Sequence, residues 1–441
     1  MAPYSREPGA HSIMPTPAVY VLPGLRSPFA KMDRELAHLD ALELSAPVIQ
    51  QTVAGDAGPG RDRAGDIDLV LWGSVIPTLA VSNWGREAWL DTGLDPCVPA
   101  QAIVQACATS LAAATHAAGQ IRAGAIGLAL CGGVESMSHT QIGLSKGLSR
   151  KIRMTAQAGS PVRMASTLAK IRPSDLKISV PEVKERTTGR SMGEHTEDMA
   201  REWEITREAQ DRFTLASHQR ATRDDGGFFR PLLVSPGTFP SDRDTLPRPG
   251  TSLEKLSVLR PVFARDGTLT AGNSSPLTDG AAACWVAGDD GLGVLPDHLP
   301  RARLIDWEQA AIDPARDGLL ISPAIAIAKL LRRHGLGLGD VGLWEVHEAF
   351  AAQVLATIAA LETPVWIRKR AGVDADLGEF PREAINPNGG SISLGHPFGA
   401  TGARLLSQTV RELADRPAGT RAIVSICAAG GLGHIAMLEA L

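Results

Sequence analysis

The sequence contains few aromatic residues and few cysteines. Its 441 residues include 9 Phe, 8 Trp and 2 Tyr against 45 Gly, a balance that suits an α/β protein with many tight turns. The five cysteines are odd in number, and they form neither a CxxC pair nor a Cys/His spacing typical of zinc sites. We therefore expect no disulfide framework, no bound metal and a reducing compartment, which is the cytoplasm or, in a eukaryote, the mitochondrial matrix.

Long apolar runs and a strong net charge are also absent. No stretch of about 18 apolar residues occurs, so we predict no membrane-spanning helix. The first residues lack the apolar segment of a signal peptide, and we expect residues 1–16 to be a flexible tail. The formal net charge of −4 gives no electrostatic reason for a nucleic-acid partner.

The chain carries one structural plan twice. Residues 339–344 (GDVGLW) echo residues 65–72 (GDIDLVLW). A helix and then a buried strand follow Cys107 in the first half, and the same order follows His396 in the second half, where the strand ends near Cys427. Alternating strands and helices predict mainly parallel sheets covered by helices. Such sheets carry their functional residues at the carboxyl ends of strands, where Cys107, His396 and Cys427 all fall.

The hydrophobic periodicity predicts individual elements. The predicted strands are 18–22, 66–75, 126–130, 281–287 and 422–426, and the predicted helices are 36–52, 82–90 and 401–413. We expect an N-terminal domain formed by 17–138 and 272–290, an inserted loop domain at 139–271, and a C-terminal domain at 291–441.

Three side chains in these strand-end turns can perform chemistry. Cys107 stands before an Ala-rich helix, whose N-terminal N–H groups favour a thiolate and therefore a nucleophile. His396 lies in a Gly-rich turn that Pro397 fixes, where it can act as a base. Cys427 stands in another Gly-rich turn, and its thiol can carry a proton.

A further histidine, His347, precedes Glu348 at a predicted strand-to-helix junction. Residue 351 is Ala, so the segment is not the zinc motif HExxH. The functional interpretation is a hydrogen-bond donor to an oxyanion, and the alternative is a helix cap.

Basic residues dominate the first part of the predicted insert. They are Lys146, Arg150, Lys151, Arg153, Arg163, Lys170, Arg172, Lys177, Lys184, Arg186 and Arg190. One interpretation is a solvated face. The others are a surface that meets phosphates, a partner protein or a membrane.

Five motifs together resemble the thiolase family over about residues 18–441. They are CATS at 107–110, GNSSPLTDGAAA at 272–283, HEAFA at 347–351, NPNGGSISLGHPFGATGAR at 386–404 and CAAGGLG at 427–433. The HEAFA and CAAGG forms, with the long insert, are similar to the 3-ketoacyl-CoA thiolases of fatty-acid β-oxidation, including the β subunits of trifunctional complexes. The resemblance implies a duplicated αβαβα core of five layers with an inserted loop domain.

The resemblance also implies a ping-pong reaction, in which a 3-ketoacyl-CoA is cleaved by free CoA. Cys107 would attack the 3-keto carbon while His396 takes the thiol proton. Cys427 would protonate the acetyl-CoA enolate and then deprotonate CoA. Coenzyme A would be a co-substrate, with no cofactor permanently bound.

Two oxyanion holes are implied, one formed by His396 with His347 and the other by the backbone N–H groups of Cys107 and Ala429. The family pattern has Gly at the position of Ala429. Ser275 and Met192 match positions that contact CoA, and Ser191 stands where other thiolases often have a loop histidine, so this part of CoA binding differs.

Alternatives remain at this point. They are a biosynthetic acetyl-CoA acetyltransferase, an inactive thiolase-like scaffold subunit and, less favoured because of Cys427, a ketosynthase. The family implies a homodimer or a dimer of dimers. The basic insert could bind a hydratase/dehydrogenase α subunit or the periphery of a membrane.

Overall fold

The computed structural model describes residues 17–179, 184–223 and 227–441. The tail predicted at 1–16 lies outside these residues. The described strands are β1 (Tyr20–Arg26), β2 (Ala30–Lys31), β3 (Leu69–Ser74), β4 (Ala100–Ala102), β5 (Leu128–Glu135), β6 (Gly143–Leu144), β7 (Ile178–Ser179), β8 (Thr278–Ala287), β9 (Ala302–Ala311), β10 (Leu343–Val346), β11 (Arg421–Ala428) and β12 (Leu432–Ala440).

Helices of very different lengths separate these strands. They are α1 (Ala41–Ala54), α2 (Trp84–Asp91), α3 (Thr109–Arg122), α4 (Lys146–Ala156), α5 (Pro161–Leu168), α6 (Met192–Glu202), α7 (Arg207–Ala221), α8 (Leu253–Ser257), α9 (Asp289–Leu292), α10 (Ser322–His334), α11 (Ala351–Leu361), α12 (Pro364–Ala371), α13 (Ser391–Leu394) and α14 (Thr401–Leu413).

The two halves of the chain build equivalent sheets. The first half has the order β4-β3-β5-β8-β1, and the second has β10-β11-β12-β9. Strands β4, β3 and β5 pair in parallel, as do β10 and β11. The other pairs in each half are antiparallel, so the prediction of mainly parallel sheets is wrong. The halves meet where β1 pairs with β9, which makes one continuous path. The predicted duplication of an α/β unit is therefore confirmed.

Five layers follow from three apolar cores. One core lies between the first sheet and the outer helices α1 and α2. The central core contains α3 and α14, which pack on each other between the two sheets. The third core lies between the second sheet and the outer helices α10, α11 and α12. Helices α3 and α14 are thus enclosed, so side chains at their first turns sit deep in the molecule.

Several element boundaries follow from local chemistry. Helix α14 covers the predicted residues 401–413. Helix α1 begins at Ala41 rather than at residue 36, because Asp40 and Glu43 form a capping box there. Strands β5 and β11 run further than predicted, so Cys131 and Cys427 lie within strands. The prediction that these strands end before their cysteines is wrong.

The region 139–271 contributes α4 to α8 together with β6 and β7. Its later part packs on the core, because Met199 and Leu269 belong to the apolar cluster under α11. Its earlier part exposes apolar side chains, among them Ile152 on α4 and Val162 on α5. Across the described residues, no helix combines the length and the apolar character needed to cross a membrane.

Candidate active site

Cys107 is held by a strained turn between β4 and α3. Ala106 has a φ of +45°, a conformation that costs a non-glycine residue roughly 1–2 kcal/mol. The hydroxyl of Thr109 fixes the turn, because it accepts the N–H of Gln105 at 2.9 Å and donates to the carbonyl of Ala106 at 2.8 Å. This turn places Cys107 at the wall of a cavity, where it also packs against the central apolar core.

The structure brings Cys107, His347 and His396 together. One ligand atom from each of the three side chains lies within 4.8 Å of the other two. The two imidazole rings are 4.0 Å apart between centroids, with their planes tilted by 43°. Cys427 and Ala429 line the same cavity, whose volume is about 460 Å³. These residues come from both halves of the chain and meet at one pocket floor.

The thiol of Cys107 is protonated at rest. Burial raises its pKa to about 12, although the N–H groups of Cys107 and Ala429 hydrogen-bond to the sulfur and lower it. The N–H groups expected at this helix start are present, but desolvation outweighs them. Cys107 therefore needs a base when it reacts. Burial also raises the pKa of the Cys427 thiol well above its usual value, and Cys107 adds to this.

The two N–H groups that approach Cys107 belong to the pair predicted as an oxyanion hole. Ala429 follows the end of β11, and the turn continues through Gly430 and Gly431, both at positive φ. The carboxylate of Glu185 accepts the N–H of Gly430 at 2.9 Å. The inserted region thus supports the turn that presents the N–H of Ala429.

His396 is oriented by its own turn. Its N–H donates to Thr278 Oγ1 at 3.0 Å, and its Nδ1 lies 2.6 Å from Thr401 Oγ1. Its Nε2 is buried and has no partner among the described residues. Burial, assisted by the positive charge of Arg404, lowers the pKa of His396 to about 3. A neutral imidazole with a free Nε2 facing a thiol is suited to proton abstraction.

His347 follows β10 and is held by one hydrogen bond of its backbone and one of its side chain. Its N–H donates to the carbonyl of Ser425 at 2.8 Å, and its Nδ1 lies 2.8 Å from Ser391 Oγ. Its Nε2 is also buried without a partner in the described structure. Burial, followed by the charges of His396 and Arg404, lowers its pKa well below the usual value. His347 is therefore a neutral group beside Cys107 and His396.

Glu135 at the end of β5 is a positioning residue that the sequence argument missed. Its carboxylate accepts the N–H groups of Val75, Ile76 and Gly399 and the hydroxyl of Ser74. Gly399 belongs to the turn after His396, so one buried acid ties two pocket loops to a strand. An acid closing an otherwise apolar strand was the available signal, since a buried carboxylate must find several donors.

Glycine permits the contact between β5 and the His396 turn. A Cβ on Gly133 would lie 2.3 Å from the carbonyl oxygen of Gly399, and one on Gly399 would lie 2.5 Å from the carbonyl oxygen of Val134. Both oxygens belong to the backbone and cannot turn aside. A side chain at either glycine would therefore push β5 and the turn apart and move His396.

Ser275, Met192 and Ser191 all line the pocket. The N–H of Ser275 donates to the carbonyl of Ala349 at 2.9 Å. Ser191 caps α6, because its Oγ accepts the N–H of Glu194. The rest of the lining is largely apolar and includes Met137, Phe263, Leu277, Leu320, Phe350 and Phe398. The CoA contacts assigned to the first three residues stay predictions.

Cys107, His347 and His396 carry a thiol and two imidazoles, which are side chains that can bind transition metals. The same residues are those predicted to act as nucleophile, base and hydrogen-bond donor. The prediction that no metal is bound stays a prediction.

Comparisons with known proteins agree with the motifs. The family model "Thiolase, N-terminal domain" matches residues 19–290, and "Thiolase, C-terminal domain" matches 298–440. A protein named 3-ketoacyl-CoA thiolase from Pectobacterium carotovorum subsp. carotovorum (strain PC1) is 37% identical over 425 residues, 94% of this chain and 95% of the relative. One of the same name from Colwellia psychrerythraea is 35% identical over 428 residues, 96% of this chain and 97% of the relative.

A solved structure is similar over nearly the whole chain. It is the crystal structure of the Bacillus anthracis acetyl-CoA acetyltransferase, with a TM-score of 0.78 and 29% sequence identity. The superposition covers 97% of this chain and 99% of that chain.

Proposed function

Because this chain belongs to the thiolase family, we propose that it is a 3-ketoacyl-CoA thiolase of fatty-acid β-oxidation. It would cleave a 3-ketoacyl-CoA with free CoA, giving acetyl-CoA and an acyl-CoA two carbons shorter. The observation that carries the proposal is the meeting of Cys107, His347 and His396 within 4.8 Å in a pocket that also holds Cys427. This set supplies the nucleophile, the base and the second thiol that the reaction needs.

In the first half of the reaction, Nε2 of His396 takes the thiol proton of Cys107 as the sulfur attacks the 3-keto carbon. The raised pKa of Cys107 and the lowered pKa of His396 make the transfer concerted with attack instead of an earlier ionisation. The tetrahedral intermediate then breaks the bond between C2 and C3. The acyl group stays on Cys107, and the acetyl-CoA enolate accepts the proton of the Cys427 thiol.

In the second half, the Cys427 thiolate takes the proton of free CoA. The CoA sulfur attacks the thioester carbonyl on Cys107 and releases the shortened acyl-CoA. The departing Cys107 sulfur recovers a proton from the His396 imidazolium, so each group returns to its initial state. Both halves use the same pocket floor, which is why two thiols and one imidazole suffice.

In both halves of the reaction, negative charge develops on an oxygen atom, which needs hydrogen-bond donors. Backbone N–H groups of Cys107 and Ala429 approach the Cys107 sulfur, which puts them beside any carbonyl bound to that atom. His347 and His396 each have a ring nitrogen within 4.8 Å of the same sulfur. We assign these four groups to the two predicted oxyanion holes, with His396 donating only after it has taken the proton of Cys107. Losing one such donor typically lowers kcat by about 10²–10³.

The apolar lining supports a substrate with an extended acyl chain. Phe263, Phe350 and Leu320 surround the space beyond the reactive groups, and such side chains stabilise methylene groups in proportion to buried area. We infer that Ser275, Met192 and Ser191 contact the pantetheine part of CoA. Free CoA is the co-substrate, and no cofactor needs to stay bound.

The similarity to an acetyl-CoA acetyltransferase structure keeps the biosynthetic direction as the second candidate. Thiolysis rates over 3-ketoacyl-CoAs of short to long chain separate the two. We expect turnover of medium and long chains. Activity confined to acetoacetyl-CoA would favour the biosynthetic enzyme, and no thiolysis at all would leave the scaffold interpretation.

We also infer an association with anionic membrane surfaces through α4 and α5. Ile152, Met154 and Val162 are exposed there, with Arg150 and Arg153 in the same helix, a pattern typical of helices that lie on lipid. Sedimentation with liposomes tests this, and binding should need anionic lipid. Binding only to a hydratase/dehydrogenase subunit would replace the lipid by a protein partner.

Two further expectations concern the assembly and its location. We infer a homodimer or a dimer of dimers, which light scattering would measure. All five cysteines are free, which supports a reducing compartment such as the cytoplasm.

A further inference from the structure

The two pocket histidines have opposite hydrogen-bond surroundings. We propose that Arg404, acting through Ser391, holds His347 as the tautomer with its proton on Nε2, while Thr401 holds His396 as the opposite tautomer. His347 is then a permanent hydrogen-bond donor in the pocket, and His396 is the only base of the pair. The catalytic meaning of this division rests on the proposed thiolase reaction, but the proton positions themselves do not.

The tautomer of His396 follows from a count of protons. The Thr401 hydroxyl has one proton and donates it to the carbonyl of Pro397 at 2.9 Å. A carbonyl cannot donate in return, so Thr401 Oγ1 is left as an acceptor. The contact of 2.6 Å between Thr401 Oγ1 and His396 Nδ1 therefore needs a proton on Nδ1. In a neutral ring this leaves a lone pair on Nε2.

The same count gives the other result at His347. Arg404 Nη2 lies 2.9 Å from Ser391 Oγ, and a guanidinium can only donate. Ser391 therefore accepts from Arg404 and keeps its own proton for another partner. Among the described residues that partner is His347 Nδ1, at 2.8 Å. Nδ1 accepts, so the proton of the neutral His347 ring is on Nε2.

Arg404 is a buried, charged residue that is held in place for its contact with Ser391. It is 2% exposed, lies in the first turn of α14, and also donates from Nη1 to Gln408 Oε1 at 3.3 Å. Burial lowers its pKa to about 10, while Glu345 raises it, so the side chain stays charged at neutral pH. Because the buried guanidinium can only donate to Ser391 Oγ, the serine accepts that hydrogen bond and donates its own proton to the other partner.

The neutral tautomer with Nδ1–H is one alternative that would place a proton on Nδ1, and a charged His347 is the other. Its surroundings oppose that form, because the ring is fully buried and lies near His396 and the guanidinium of Arg404. A proton on Nδ1 would also direct two donors at Ser391 Oγ and leave the serine proton without the acceptor that it has now. The neutral form with Nε2–H satisfies Ser391 Oγ and His347 Nδ1, and it leaves the Nε2 proton free beside Cys107 and His396.

The division of roles has a chemical consequence. Two neutral rings at 4.0 Å could otherwise exchange functions, and a lone pair on His347 would repel a substrate oxygen. With Nε2–H fixed, the His347 ring stabilises negative charge on that oxygen without giving up its proton. Only the Nε2 lone pair of His396 can then receive the proton of Cys107.

Neutron diffraction from deuterium-exchanged crystals of the whole protein reads the proton positions directly. We expect deuterium on His347 Nε2 and His396 Nδ1, and none on His347 Nδ1 or His396 Nε2. Deuterium on His347 Nδ1 would overturn the proposal, whatever the protein's activity. Absence of thiolysis would refute the proposed function and leave this assignment standing, so the two failures are distinguishable.

A kinetic comparison tests the positioning role. In Ser391→Ala, kcat for thiolysis should fall roughly 10- to 100-fold, with KM changed less than about twofold. The matched control is Ser393→Ala, which removes another buried hydroxyl of α13, bonded to Ser217 and the carbonyl of Gly390 and not to either histidine. We expect the control to retain the wild-type kcat within about threefold.

A double-variant comparison excludes a purely structural effect. An amide donor has no tautomers, so in His347→Asn the serine is no longer needed to set the proton. Adding Ser391→Ala to that variant should then change kcat less than about threefold. An equal loss from Ser391→Ala in both backgrounds would show that the hydroxyl acts elsewhere, and would contradict the proposal.

Discussion

The His347 and His396 rings lie 4.0 Å apart, although each is neutral and each has a buried Nε2 without a partner in the described structure. His347 follows β10, but His396 lies in the turn between the short helix α13 and α14 and not at the end of a strand as predicted. Cys107 of the first half completes the group. The enclosed centre of the duplicated fold suits such a site, because burial keeps both rings uncharged. The thiol of Cys107 and the His396 base can then exchange a proton with each other or with the substrate.

Replacing His396 should affect Cys107 directly. In His396→Gln the general base is lost, and kcat should fall about 10²- to 10⁴-fold. Alkylation of Cys107 by iodoacetamide at neutral pH should slow as well, because the thiol keeps its proton. Thiolysis assays and peptide mapping measure the two effects, and unchanged alkylation would show that another group removes the proton.

Cys427 should be required for proton transfer but not for acylation. In Cys427→Ala, kcat should fall about 10²- to 10⁴-fold, while the acyl group can still reach Cys107. The matched control is Cys97→Ala, since Cys97 is exposed and far from the described pocket lining; its kcat should equal that of the wild type. A Cys427→Ala variant with full kcat would remove this residue from the mechanism.

The pH dependence of Cys107 alkylation follows from its pKa of about 12 and from the pKa of about 3 for His396. Between these values the resting pair is thiol and neutral imidazole. Because this protonation state does not change over that range, alkylation assisted by His396 should be nearly independent of pH from 6 to 10, whereas in His396→Gln the rate should rise with pH as the thiolate fraction grows. A wild-type rate that rises as steeply as that of the variant would show that His396 does not assist the reaction.

Buried histidines should weaken the fold in acid. The pKa of His434 is lowered from 6.5 to about 4 by burial, so the unfolded chain binds a proton that the folded chain does not. Its stabilising contribution is complete above pH 6.5 and is lost as the pH falls toward 4, by up to about 1.4 kcal/mol per pH unit. Urea unfolding at several pH values measures the slope. It should be shallower in His434→Gln by about this amount, and equal slopes would contradict the assignment.

Close packing against the His396 turn predicts a sharp glycine effect. Gly133→Ala places a methyl group 2.3 Å from the carbonyl oxygen of Gly399, so the turn must move and both stability and kcat should fall. We expect a loss of about 2–4 kcal/mol in unfolding free energy. The control Gly159→Ala meets nothing within 4 Å and should change stability by less than about 0.5 kcal/mol. Equal effects would refute the packing argument.

The sequence predicts the parts of this site that local patterns encode. Helix α14 lies where its apolar spacing places it, and Cys107, His347, His396 and Cys427 were found from strand-end turns and family motifs. The predicted start of α1 at residue 36 is wrong, because the side chain of Asp40 caps the helix and its first residue is therefore Ala41. The predicted ends of β5 and β11 are wrong, because the small residues after them do not end the strands. Glycine and cysteine can continue a strand where neighbouring backbones approach closely.

Contacts between distant segments were not predictable. Glu135 supports the turn at Gly399, 264 residues away, and Ser391 receives its decisive hydrogen bond from Arg404. A buried charge in a sequence shows that it needs partners, but not which ones. Only the folded chain shows that Arg404 of α14 and His347 after β10 share Ser391 as a hydrogen-bond partner.

The most direct test of the account is to trap the covalent intermediate. The protein is mixed with a 3-ketoacyl-CoA without free CoA, quenched in acid, and its peptides are mapped by mass spectrometry. We predict that the peptide containing Cys107 gains the mass of the acyl group shortened by two carbons, with one acetyl-CoA released per acylated site. Acylation of Cys427 instead, or release of acetyl-CoA with Cys107 unmodified, would contradict the assignment of Cys107 as the nucleophile.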